Sequence, residues 1–336
     1  MRHYLRYFGK KLGWTFLTLV VAVTLNFFLP RMVPGNPVDA IVTDLVQGIS
    51  DENRVKEIYE TFNSEFGVDK PLWHQYLIYV RNLLRGDLGT SFGQYPKKVK
   101  DILRNAIPWT VGLQLPAILV GWILGNVLGA LAAYRRKLFD KIFMPLSLAI
   151  SSFPFFVMAL LMLYLFGMTL GWFPIGGAYA FDVLPSLSWR FIGSVLYHYA
   201  LPFLSIVIVT IGTQAIGMRS MAIYELNSDY VLYSKLLGLE DKKVVRYVFR
   251  NAMLPQITGL ALSLGTMVAG ALIAEIVFNY PGIGTYMFSA IRQLDYPLIS
   301  GCTLLVTVSV LVANFAIEVV YGFLDPRIKM AQLEDK

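Results

Sequence analysis

The sequence is poor in the residues that build disulfides, metal sites and charged surfaces. Its 336 residues include one cysteine and three histidines. Cys302 has no partner for a disulfide within the chain, which excludes a disulfide-stabilised fold. Because His3, His74 and His198 lie far apart in the sequence, a zinc site built from His and Cys is not expected. Only 15% of the residues are charged, against about 25% in soluble domains, and this deficit points away from a water-soluble protein.

Sequence motifs of catalysis are missing as well. No G-x-x-x-x-G-K-[ST] phosphate-binding loop occurs, since Gly9-Lys10-Lys11 lacks both the earlier glycine and the hydroxyl that the motif requires. Neither a G-x-S-x-G nucleophile turn nor an H-E-x-x-H metal motif is present. The sequence therefore predicts no catalytic residue, no metal ligand and no nucleotide bound by this chain.

Long apolar runs dominate the sequence. Hydrophobic residues make up 56% of the chain, whereas soluble domains contain about 45–50%. A helix that spans a membrane needs about 20 mostly apolar residues. Six stretches of that kind predict an all-α polytopic membrane protein with six transmembrane helices, at residues 12–30, 111–134, 142–170, 200–218, 257–278 and 298–322. Acids interrupt only the last two stretches, at Glu275 and Glu318.

The positive charges are distributed unevenly between the predicted loops. Seventeen of the 29 lysines and arginines fall on the side of the two termini, and two fall in the short loops opposite. Residues 31–110 hold equal numbers of acids and bases, and long segments cross membranes regardless of charge. The positive-inside rule therefore predicts a multi-pass membrane protein with both termini cytoplasmic. The same rule accounts for the net charge of +7, so nucleic-acid binding is not expected.

The predicted spans divide the chain into four parts. Residues 1–30 form the first transmembrane helix, 31–110 an extracytoplasmic helical insert, 111–326 a five-helix core, and 327–336 a cytoplasmic tail. The first span could also be a signal peptide, but no small-residue cleavage site follows it, so a retained anchor is favoured. The insert is expected either to cap the outer end of the bundle or to receive an external protein.

Local signals predict two helices in the insert. Ser50 and Asp51 are candidate caps for a helix that Gly67 ends. A second helix is predicted after Pro71, and Gly86 ends it. In the second span, glycines recur every four residues at positions 121, 125 and 129, a pattern that allows another helix to approach closely.

The loop at 219–255 is too long for a tight connection and too apolar for a solvated linker. Asp229 is predicted to cap a helix through Leu236, and Gly238 is predicted to end it. A second helix is expected at 240–253, ahead of Pro255. The apolar side chains of this loop need a covering surface, which is either their own helical bundle or a cytoplasmic protein.

Several short motifs make the chain resemble a known family. The loop contains YSKLLGL at 233–239 and RNAMLP at 250–255. Other matches are VPGNP at 33–37, GVDKPL at 67–72, LRGDLG at 84–89, EIVFNYPGIG at 275–284, DYP at 295–297 and DPR at 325–327. In this order the motifs resemble those of the permease subunits of binding-protein-dependent ABC importers, in the dipeptide, oligopeptide and nickel branch. The resemblance covers essentially the whole chain.

The resemblance implies a type I ABC importer permease fold, a location in the plasma (inner) membrane and a set of partners. These are a second homologous permease, two ATPase subunits that bind ATP and Mg, and an extracytoplasmic solute-binding protein. The chain itself would not be an enzyme. It would contact an ATPase through a coupling helix, with Gly238 turning the chain and Pro255 starting the next helix. The implied coupling residues are Asp229, Tyr230, Tyr233, Ser234, Lys235, Leu236, Leu237, Gly238, Arg250, Asn251 and Pro255.

The resemblance leaves the cargo open. Tyr233, Ser234 and Leu236 stand where the family prefers smaller residues, so the fit to the ATPase is expected to be individual. Peptides are the expected cargo, and oligosaccharides or nickel are the alternatives. A secondary transporter or channel is the alternative from another class, and it would be expected to show internal repeats or charges buried along its path.

Overall fold

The computed structural model describes residues 2–46, 51–135, 138–270 and 272–324. Within these ranges the chain is helical, and the one β pairing is an isolated bridge between Thr90 and Lys98. The predicted all-α fold is therefore confirmed. The helices are α1 (Arg2–Arg31), α2 (Asp39–Leu45), α3 (Glu52–Glu65), α4 (Leu72–Leu84), α5 (Val99–Arg135), α6 (Leu138–Ser152), α7 (Phe155–Met162), α8 (Trp189–Leu226), α9 (Asp229–Leu236), α10 (Asp241–Gly270), α11 (Leu272–Val277), α12 (Ile283–Arg292) and α13 (Tyr296–Leu324).

Among the described residues, four single helices are long and apolar enough to cross a membrane. They are Lys11–Arg31, Val99–Tyr134, Trp189–Leu226 and Tyr296–Ala316, and a bent pair of helices is a fifth candidate. The predicted span at 257–278 is divided between α10 and α11 around residue 271, which lies outside the described residues. The span at 257–278 therefore stays a prediction. The predicted cap at Ser50, the DPR motif at 325–327 and the tail at 327–336 lie outside the described residues as well and also stay predictions.

The third apolar stretch is not one straight helix. Phe139–Ser152 and Phe155–Thr169 meet at an angle of 101°, and the second segment consists of α7 and a π-helix at Leu163–Thr169. The break falls at Pro154, which precedes the first residue of α7. Proline lacks an N–H for the helical ladder and disfavours helical backbone at the residue before it. The prediction of a continuous helix at 142–170 is therefore wrong, because hydropathy does not register such a break.

The chain forms two compact units. The first comprises Met1–Trp109 and Pro281–Phe315, and the second Thr110–Tyr280 and Ala316–Lys336. In the first unit, the Asp51 carboxylate accepts a bond from the Asn53 N–H at 3.0 Å, which confirms the predicted cap of α3. The chain turns with positive φ at Gly67 and Gly86, as predicted.

A buried carboxylate joins two segments of the first unit. Asp295 is inaccessible to solvent. It accepts bonds from the Gly93 N–H at 3.0 Å, from the Leu298 N–H at 3.1 Å and from the Ser91 hydroxyl. These three hydrogen bonds offset the free-energy cost of burying the carboxylate. They tie the loop after α4 to the start of α13.

The glycine repeat of α5 lies against α8 in the second unit. A Cβ on Gly121 would lie 2.6 Å from the Cβ of Thr210, and one on Gly129 would lie 2.9 Å from the Cα of Ala215. The predicted close approach of a second helix is confirmed. On another side of α8, Arg219 donates two bonds to Asp140 of α6, at 2.6 and 2.7 Å.

Candidate functional site

The predicted coupling loop is built around the short helix α9. The helix spans Asp229–Leu236, as the sequence predicted, but its N-cap position is Ser228 and not Asp229. The Ser228 hydroxyl donates to the carbonyl of Glu225 at 2.6 Å and makes no cap bond. Asp229 is exposed in the first turn, where a carboxylate interacts favourably with the positive end of the helix dipole.

Gly238 ends α9 in the way the sequence predicted. Its φ is 71°, a left-handed conformation that favours glycine. The Gly238 N–H donates to the carbonyl of Lys235 at 3.0 Å, and the Leu239 N–H donates to that of Ser234 at 3.1 Å. This pair of bonds is a Schellman motif, which satisfies the last carbonyls of the helix. The motif fixes the direction in which the chain leaves α9 toward α10.

One face of α9 packs against the chain's own helices. Val231 is buried with Val244 and Val248 of α10. Leu226, Tyr230 and Leu239 surround this group. The small cluster holds α9 against the start of α10.

Tyr230 adds a polar link between α9 and α8. Its hydroxyl donates to a carboxylate oxygen of Glu225 at 2.7 Å. Burial and this hydrogen bond raise the pKa of Tyr230, while hydrogen bonds with Asn251 and Ser228 oppose the shift. Two predicted site residues, Tyr230 and Asn251, are thereby brought together. Glu225 was missed, because no local pattern identifies a partner of this kind.

The other face of α9 is open. Leu236 is 75% exposed and Leu237 76%, and their exposed neighbours are Leu232 and Tyr233. We call these four residues the α9 patch. Leu232 was not among the predicted residues, although its position four residues before Leu236 places it on the same helical face. The sequence left open whether the chain's own bundle or another protein covers this loop. The bundle covers one face of α9 and leaves the other exposed. Contiguous exposed apolar residues of this kind mark interaction sites.

The remaining predicted residues lie beside the patch or along α10. Lys235 and Gly238 are exposed, and the Ser234 hydroxyl donates to the Tyr230 carbonyl at 2.7 Å. Arg250 is exposed on α10, and Asn251 is partly buried there. The first two turns of α10 also carry four exposed charges, on Asp241, Lys242, Lys243 and Arg246.

Pro255 does not divide two helices. The expectation of one helix at 240–253 and a new one from Pro255 is wrong, because α10 runs from Asp241 to Gly270 through this proline. A proline in a helix interior removes one backbone bond. Such prolines are tolerated in membrane helices, where neighbouring groups satisfy the freed backbone.

Within the described ranges, no three His, Cys, Asp or Glu side chains are grouped so that they could hold a metal ion. What the site offers is an apolar docking surface on a short helix, flanked by charges.

Comparison with known proteins identifies the family. A family model described as "binding-protein-dependent transport system inner membrane component" matches residues 125–330. This range includes all eleven of the predicted coupling residues.

Individual relatives match over nearly their whole length. The chain is 33% identical over 341 residues to the di/tripeptide transport system permease protein DppB of Pseudomonas aeruginosa, covering 97% of this chain and 99% of the relative. It is 31% identical to the dipeptide permease protein DppB of Lactococcus lactis and 29% to the oligopeptide permease protein OppB of Haemophilus influenzae, each over 97% and 99% of the two chains. These matches confirm the resemblance inferred from the motifs, and the chain belongs to the family of inner membrane permease components of binding-protein-dependent ABC importers.

Proposed function

We propose that this chain forms half of the translocation path of an ATP-driven importer of dipeptides or oligopeptides. The names of its relatives support the cargo, because those with 97% coverage of this chain are named for dipeptide, di/tripeptide or oligopeptide transport. The exposed α9 patch is the observation that carries the proposal, since it offers a docking surface at the position of the family's loop motif.

The proposed partner at this patch is an ATPase subunit. Leu236 and Leu237 enter a groove of the ATPase, and the charges at the start of α10 surround the contact. Motion driven by ATP passes through α9 to α8 and α10, to which α9 is held by the valine cluster and by the bond from Tyr230 to Glu225.

The complete transporter contains a second homologous permease, two ATPases that bind ATP and Mg, and an extracytoplasmic solute-binding protein. Both termini and the α9 patch face the cytoplasm, as the charge distribution predicts. Residues 31–110 form the extracytoplasmic insert.

Transport by the complete importer in proteoliposomes tests the cargo. Radiolabelled dipeptide, a short oligosaccharide and Ni²⁺ are offered separately, with and without ATP. We expect ATP-dependent accumulation of the dipeptide. Accumulation of only the sugar or the metal would contradict the cargo, and dipeptide accumulation that ignores ATP would favour a secondary transporter.

Labelling of intact cells tests the orientation. We expect an Asp241→Cys variant to resist a membrane-impermeant thiol reagent. An Asp69→Cys variant in the insert should react with it. Because Cys302 is buried, the parent chain gives the background. Labelling at position 241 from outside would contradict the proposed topology.

A further inference from the structure

The helix α4 contacts the last turns of α1 through its side chains. Tyr76 is the centre of this contact. Its hydroxyl lies 2.8 Å from the hydroxyl of Thr24, and its ring lies 5.2 Å from that of Phe27 and 5.6 Å from that of Phe28. Tyr79 adds a second ring contact with Phe27, at 5.3 Å.

This contact falls inside the apolar part of α1. The candidate span of α1 ends at Arg31, whose guanidinium donates to Gln75 of α4 at 3.3 Å. Thr24 precedes Arg31 by seven residues, or about 10 Å at 1.5 Å per residue. Arg31 is the first charged residue after the apolar run of α1 and marks the end of its hydrocarbon-spanning part. The residues of α4 that contact Thr24 and Phe27 therefore lie deeper than the headgroups.

The free face of α4 is apolar. Trp73 is 64% exposed, Leu77 58% and Leu84 84%. At 100° per residue these three side chains form one stripe, turned away from Tyr76 and Tyr79. Arg81 lies at the edge of the stripe, and Arg85 follows the helix; both are exposed.

The length of α4 decides how it can lie in a membrane. Its 13 residues extend about 20 Å, which is too short to cross the hydrocarbon core. A short helix with an apolar stripe, a basic edge and a tryptophan is typical of helices that lie in the membrane interface.

We propose that α4 is an interfacial membrane helix, whose stripe of Trp73, Leu77 and Leu84 is embedded in the acyl chains of the leaflet at the Arg31 end of α1. Arg81 and Arg85 reach the lipid phosphates at its edge. The insert is thereby anchored to the bilayer along a helix, in addition to its chain connections to α1 and α5. This inference does not depend on the cargo or on the ATPase contact.

Spin-label accessibility in proteoliposomes tests this placement. A nitroxide is attached to a Leu77→Cys variant of the full chain, and its collisions with oxygen and with a water-soluble nickel complex are measured. The lipid reference is Val20→Cys on the exposed face of α1, and the aqueous reference is Glu57→Cys on α3, both exposed in the structure. The parent chain, with Cys302 buried, gives the background.

We expect the ratio of oxygen to nickel collisions at position 77 to be several-fold higher than at position 57 and to lie below that at position 20, which is deeper in the bilayer. A ratio equal to that at position 57 would overturn the proposal, because it would place the stripe in water. Protection from both reagents in the complete importer would also overturn it, because it would show a protein on the stripe. Leu84→Cys gives an independent reading if the Leu77 variant does not fold.

Discussion

Two short helices of this chain, α4 and α9, are constructed alike. Each ends in a Schellman motif at a glycine with positive φ, Gly86 after α4 and Gly238 after α9. A tyrosine hydroxyl links each helix to a neighbouring helix, from Tyr76 to Thr24 and from Tyr230 to Glu225. Each also exposes large apolar side chains on its free face.

The difference lies in the surfaces on which the two helices rest. The contacts of α4 are with the apolar span of α1, whereas α9 packs on a part of α10 that carries exposed charges. A charged helix start is costly within the hydrocarbon core. The same apolar exposure therefore indicates lipid for α4 and a protein for α9. The covering partner is inferred from the helix against which each one packs and not from the sequence of α4 or α9 itself.

The largest expected effect comes from a carboxylate on the α9 patch. Leu236→Asp would bury a charge in the proposed ATPase contact at a cost of about 3 kcal/mol or more, or about 100-fold. We expect ATP-driven uptake to fall by that factor with membrane insertion unchanged. The conservative variant Leu236→Met should retain uptake.

The matched variant on α4 sharpens the comparison. Leu77→Asp places a charge at the boundary between headgroups and acyl chains, where an interfacial helix lies and where the cost falls to about 1 kcal/mol or less. Uptake should therefore stay within about fivefold of the parent. Equal losses in the two aspartate variants would remove the distinction between the two patches.

A smaller effect is expected from the glycines that end the two helices. No atom lies within 4 Å of a Cβ built on Gly238 or Gly86, so only backbone strain opposes a side chain there. A left-handed residue other than glycine costs about 1–2 kcal/mol. Gly238→Val should lower uptake about tenfold, because it redirects the α9 patch.

Asparagine variants provide the control for the glycines. Asparagine tolerates the left-handed conformation better than valine, so Gly238→Asn should restore most of the uptake. Gly86→Val should lower thermal stability and leave uptake near the parent level. Normal uptake by Gly238→Val would contradict the claim that the turn at Gly238 orients the α9 patch for transport.

The smallest effects are expected from the two tyrosine hydroxyls. Tyr230→Phe and Tyr76→Phe each remove one hydrogen bond, worth about 1 kcal/mol. We expect both variants to melt a few degrees lower in lipid nanodiscs. Only Tyr230→Phe should also reduce uptake. If Tyr76→Phe reduced uptake as much as Tyr230→Phe does, the contact between α4 and α1 would also contribute to transport.

Helix-ending glycines could be predicted from the sequence, whereas the N-cap of α9 and the effect of prolines could not. Gly67, Gly86 and Gly238 end their segments as predicted, because a left-handed turn is a local requirement that glycine meets. Pro154 coincides with a bend of 101°, yet α10 continues through Pro255. Pro154 stands at the N-cap position of α7, whereas Pro255 lies inside α10, so the presence of a proline in an apolar run does not by itself predict where a helix ends.

Part of the candidate site could also be predicted, because it depends on local features of the sequence. The bounds of α9 and its exposed Tyr233, Leu236 and Leu237 follow from local spacing and composition. Glu225 and the valine cluster beneath α9 arise from contacts between elements, which a single sequence does not display. The depth of α4 likewise depends on its contact with α1.

Paired photo-cross-linking tests coupling through α9 most directly. A benzophenone amino acid replaces Leu236 in one variant and Leu77 in another, and both are irradiated in native membranes. We predict that position 236 yields an adduct with an ATPase subunit and that position 77 yields lipid adducts and no protein adduct. Efficient cross-linking at position 236 without an ATPase would contradict coupling through α9.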